Sequence, residues 1–166
     1  DLGGLDADLI VVGQDFSASQ RESGPNRTPD PNIPTNKNLH RLIAAAGVSP
    51  SRVYLTNAIL CLKPGKRLNG PTRAAWFTSC RSLLRETIDT IAPRAVVALG
   101  ARAWNSLQRA YELRPIKLVS SVDGEPRQSR DGPTLHARYH CGGLGLVRRS
   151  FQHQLEDWQR LGESLQ

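Results

Sequence analysis

Leu9-Ile10-Val11-Val12-Gly13-Gln14-Asp15-Phe16 decides the fold. An apolar run closing on glycine reads as a strand buried on both faces, and the residues after it carry a bare carboxylate to its C-terminal end. Open α/β sheets hold their ligands at that edge. Working outward, Val53–Asn57, Ala95–Leu99 and residues 135–139 have the same short, apolar character and read as further strands. Between them the spacing turns helical. Leu39, Leu42, Ile43 and Ala46 recur at helical intervals up to Gly47. Residues 72–92 form a predicted helix with Trp76, Cys80, Leu83, Leu84, Thr87, Ile88 and Ile91 near one face, stopped by Pro93; residues 101–113 and 151–161 form two more. Residues 17–35, rich in Pro, Asn, Ser and Gly, read as a long loop of the kind that is either functional or disordered, and residues 120–133 as an exposed connection. Strands alternating with helices predict βαβ units and a buried parallel sheet.

The chain has 166 residues, 39% of them apolar, enough for one compact core and one expected domain, 1–166. Lysine and arginine number 22 against 15 acids, a net charge of +7, so a polyanion is the default partner. There is no long apolar run and no basic stretch leading into an apolar segment, so the reading is a cytoplasmic protein without a membrane partner. Cys61, Cys80 and Cys141 are an odd set, expected as reduced thiols. The chain opens on Asp1 without an initiator Met, which leaves room for natural residues upstream.

Three predicted strand ends offer an acid at Asp15, an amide at Asn57 and an imidazole at His140. Gly13-Gln14-Asp15, the stretch Thr56-Asn57-Ala58-Ile59-Leu60-Cys61-Leu62-Lys63-Pro64-Gly65-Lys66-Arg67, then Ala95-Val96-Val97-Ala98-Leu99-Gly100 and Tyr139-His140 follow one another in an order that resembles the uracil-DNA glycosylase superfamily. The likeness runs over the whole chain. The first motif resembles the best-known branch, and the stretch from Asn57 to Arg67 with the helix after it resembles the iron–sulfur branch. The resemblance implies a three-layer αβα fold around four parallel strands, with the base pocket at the strand C-termini. It implies a monofunctional, monomeric DNA-repair enzyme that flips uracil from DNA and hydrolyses its N-glycosidic bond. Asp15 would act as an ionised carboxylate that orients water and stabilises the oxocarbenium-like sugar. His140 would donate to the departing uracil, and the Asn57 carboxamide would read the base edge. Gln14 would line the pocket through its backbone, and Phe16 is the nearest candidate for stacking on the base. Leu144 would plug the duplex where the base had been. Lys63, Lys66 and Arg67, with Arg148 and Arg149, would contact DNA phosphates.

The chain departs from the family pattern in three places. Phe16-Ser17 stands where the best-known branch has Pro-Tyr, which opens the steric gate against thymine and widens the range of damaged bases expected. Cys141-Gly142-Gly143 replaces Pro-Ser-Pro, predicting a more flexible plug loop. The iron–sulfur branch uses four cysteines, and this chain lacks the N-terminal pair, so no cluster and no metal are expected. Upstream residues that supplied the missing pair would overturn that. Two other readings stay open: a catalytically silent protein of the same fold that grips DNA or abasic sites, and an α/β enzyme acting on a free nucleotide or nucleoside.

Overall fold

The computed structural model of the chain describes residues 4–16, 30, 32–63 and 70–165. Its sheet has five strands, β1 (Leu9–Gly13), β2 (Val53–Asn57), β3 (Ala95–Leu99), β4 (Arg127–Gln128) and β5 (Thr134–Arg138), in the order β2-β1-β3-β5-β4. The first four strands in that order run parallel, and β4 adds antiparallel to β5 at the edge. Successive residues of a strand face opposite sides, and β1 feeds both layers: Ile10 and Val12 one, Leu9 and Val11 the other. On the first side, α3 (Arg81–Ile91) packs Leu84 and Ile88 against α4 (Ala101–Ala110), which contributes Ala103, Trp104 and Leu107. On the second, α1 (Pro34–Ala45) sets Leu42 and Ile43 against Trp158 and Leu161 of α7 (Phe151–Glu163). That contact is close: a Cβ on Gly162 would stand 2.2 Å from the Ala46 carbonyl oxygen. Three further α-helices among the described residues are short, α2 (Ala74–Ser79), α5 (Leu118–Val122) and α6 (Gly143–Arg148).

The αβα layering is the one expected, and the sheet differs by the two-residue β4, a pairing too short to leave an apolar pattern in the sequence. It and α5 occupy part of the stretch read as an irregular connection. The long helix expected over residues 72–92 is two helices meeting at Cys80, whose N–H still reaches the Trp76 carbonyl at 3.0 Å. Leu83, placed on the buried face, is 52% exposed. None of the helices among the described residues is long and apolar enough to cross a membrane.

Candidate active site

β1 and β2 are in register from Leu9↔Val53 to Gly13↔Asn57, so the two chains leave the sheet side by side. The Ala58 and Ile59 N–H groups donate back to the carbonyls of Gly13 and Gln14, at 2.8 and 2.9 Å, and hold Asp15 over the strand end. Gly13 is there for space. A Cβ on it would lie 2.5 Å from Asn57 Oδ1, so only glycine leaves the carboxamide its position. Asn57 is 5% exposed, yet its amide makes no hydrogen bond among the described residues. A buried amide without a protein partner needs a ligand or water.

His140 follows β5, and Gly100, at the end of β3, approaches it closely: a Cβ there would be 3.7 Å from that of His140. The Gly142 N–H donates to His140 Nδ1 at 3.1 Å. That makes Nδ1 the acceptor and leaves the proton of the neutral ring on Nε2. Although the residue has an exposed edge, the protein packed around the imidazole holds its pKa below the ordinary histidine value, which favours this neutral form. The loop beyond is anchored. Cys141 donates its thiol to the Thr35 carbonyl at 3.4 Å, and its own carbonyl accepts from Asn38 Nδ2 at 2.9 Å. Neither Gly142 nor Gly145 has room for a side chain, since added Cβ atoms would fall 2.7 Å from Thr35 Oγ1 and 1.7 Å from the His140 carbonyl oxygen.

Asp15, Asn57, His140 and the backbone of Gln14 thus line one cleft of about 330 Å³, walled on its apolar side by Val11, Leu39, Leu55 and Leu99. That volume suits a small planar ligand. Phe16 is buried next to Asp15 in sequence and is not among the residues lining this cleft. Leu144, on α6, is 87% exposed, and Val147, three residues on and on the same face, is 82% exposed. Arg148 is exposed beside them.

Two of the basic residues are paired with carboxylates of the chain itself. Lys63 Nζ lies 2.7 Å from Asp15 Oδ2, both side chains being largely shielded; the contact is an ion pair set off the hydrogen-bonding axis, since Oδ2 has no aligned donor. Arg149 is held by Asp157, whose two oxygens accept from its Nε and Nη2 at 2.8 and 2.6 Å, and by Asp123. Its guanidinium is thus engaged by two carboxylates of the chain. Lys66 and Arg67 lie outside the described residues, as does Ser17, the position read from sequence as the thymine gate. Cys61 and Cys80 stand side by side, Cys80 Sγ also accepting from the Leu60 N–H, whereas Cys141 belongs to the cleft. Two thiols are half the set that a four-cysteine cluster needs. Among the described residues no group of three or more His, Cys, Asp or Glu side chains converges to hold a metal, so these residues do not by themselves fit a cluster.

The Uracil DNA glycosylase superfamily model matches residues 1–162. Over 100 residues, 60% of the chain, it is 43% identical to a type-5 uracil-DNA glycosylase from Pyrobaculum aerophilum, and the match spans 41% of that protein. A type-4 uracil-DNA glycosylase from Thermotoga maritima is 26% identical over 82% of the chain and 68% of its own length. One from Archaeoglobus fulgidus is 25% identical over 98% of the chain and 79% of its own length.

Proposed function

Because the chain belongs to the uracil-DNA glycosylase superfamily, we propose that it is a monofunctional DNA-repair hydrolase that removes uracil from DNA and leaves an abasic site. The observation that carries this reading is the convergence of a carboxylate, an unpartnered amide and an imidazole with its proton on Nε2 around one apolar-walled cleft. In the proposed reaction the flipped base enters the cleft and the Asn57 carboxamide accepts from N3–H and donates to O4, a pattern that cytosine reverses. The N1–C1′ bond breaks with its electron pair going to the base, and the sugar gains oxocarbenium character. Asp15 stabilises that charge and aligns the water that adds to C1′. The His140 Nε2–H donates to O2, where the departing uracil carries negative charge. The water's proton passes to solvent, and the uracil anion is reprotonated.

Leu144, joined by Val147, fills the gap left by the flipped base, and Arg148 takes a phosphate nearby. Lys66 and Arg67 are proposed as further phosphate contacts, with the enzyme acting as a monomer in the cytoplasm. Asp15→Asn and His140→Ala, tested on a labelled single strand carrying one uracil and scored by alkaline cleavage, should each reduce excision by at least about 100-fold, the scale on which single electrostatic groups act. An intact, DNA-binding wild type that leaves the strand uncleaved would instead make the protein a silent binder.

A further inference from the structure

A second cavity, of about 320 Å³, opens between α2, the start of α3 and the outer stripe of α4, and three arginines line it: Arg81, Arg102 and Arg109. Arg102, Asn105, Ser106 and Arg109 fall at i, i+3, i+4 and i+7, so α4 turns one continuous polar stripe into the cavity. Phe77 forms an apolar wall opposite. Arg102 donates to Thr72 Oγ1. Arg81 and Arg109 have no partner, and no carboxylate pairs with any of the three among the described residues. Other arginines of the chain are treated differently: Arg52, Arg85, Arg149 and Arg160 are each matched to an aspartate. Like charges gathered on one cavity without an anion repel one another, and a phosphate, which the guanidinium fork fits, would remove that cost.

The cavity's position identifies the source of the phosphate. α4 begins directly after Gly100, which abuts His140, so Arg102 stands at the sheet edge that carries the candidate active site. A rise of 1.5 Å per residue sets Arg102 and Arg109 about 10 Å apart along α4, so the arginines line a run and not a point. We propose that this cavity is a phosphate-binding site for the backbone of the uracil-containing strand beyond the flipped nucleotide, with a flanking base or sugar resting against Phe77. It rests on the glycosylase reading.

The test compares the wild type with an Arg81→Gln/Arg102→Gln/Arg109→Gln variant and its Arg→Lys counterpart, titrated with a uracil-containing single strand of about 15 nucleotides over a range of salt. Excision is followed in the same samples, and on a uracil-centred trinucleotide too short to reach α4. The glutamine variant should bind the long strand more weakly, with the slope of log Kd against log salt reduced by about 2, since each lost single-strand phosphate contact removes about 0.7. It should excise from the trinucleotide like the wild type, and the lysine variant should keep the wild-type slope. A glutamine variant with the wild-type slope would overturn the site, as would AMP or inorganic phosphate saturating the cavity while long-strand binding stays unchanged. A wild type that binds but never excises would refute the glycosylase reading and leave the slope to decide the site.

Discussion

At the scale of the residue, Lys63 shows most clearly how the local fold assigns a role. A lysine on a Pro-Gly loop six positions after a strand-end asparagine reads from sequence as a phosphate contact, because the residues around it do not say which way the loop folds. In the structure the Lys63 ammonium stands 2.7 Å from Asp15. Lys63→Ala should therefore lower kcat by about tenfold, a loss of about 1.4 kcal/mol in transition-state positioning. The salt dependence of DNA binding should stay within about 0.3 of the wild-type slope, where a true single-strand phosphate contact would remove about 0.7; titrations at several salt concentrations measure it. Asp15, Asn57 and His140 were visible beforehand because each stands at the end of an apolar run, and such ends converge in a parallel sheet. The pairing of Arg149 with Asp157 is not legible in the sequence, because the two lie eight residues apart across the start of a helix and no local pattern joins them.

At the scale of the element, the strands were legible and the junctions were not. Buried parallel strands are continuous apolar runs, so β1, β2 and β3 lie where the sequence places them, and β5 one residue earlier. The break at Cys80 and the β4 pairing depend on tertiary packing that no period records. The same holds for the clasp that fastens α7 to its neighbours. Asp157, 1% exposed, accepts from Arg149 and Arg160 through its carboxylate, while its backbone carbonyl accepts from the buried Arg138 of β5. Asp157→Ala keeps that carbonyl but removes the buried carboxylate that holds Arg149 and offsets the charge of Arg138, and should cost about 3–5 kcal/mol. Arg160→Ala removes only the exposed partner and should cost under about 1 kcal/mol. Urea midpoints at unchanged m would show the difference.

At the scale of the whole molecule, the sheet buries His136 beside the basic Arg138 and so ties stability to pH. Burial, reinforced by the charge of Arg138, pulls the pKa of His136 down to about 4. Its unfolded value is near 6.5, so between those limits the unfolded chain binds the extra proton, and stability rises with pH through the window and is lost as pH falls. The difference is worth about 3 kcal/mol. The lowered pKa of His140 acts with the same sign, as does that of Asp8, held down by its hydrogen bonds to Arg52. In urea titrations at pH 7 and pH 4.5, His136→Gln should lose less stability than the wild type on acidification; parallel losses would place the effect in other groups. The same sheet gathers an acid, an amide and an imidazole at one edge, and the account stands or falls on what that edge does to a uracil in DNA. The most direct measurement is mass spectrometry of a single-uracil oligonucleotide after incubation with the protein, with Asp15→Asn in parallel and no alkali added. The account predicts free uracil and an unbroken strand bearing one abasic site, formed by the wild type and not by the variant. A strand of unchanged mass would contradict the glycosylase, and a broken one would contradict its monofunctional chemistry.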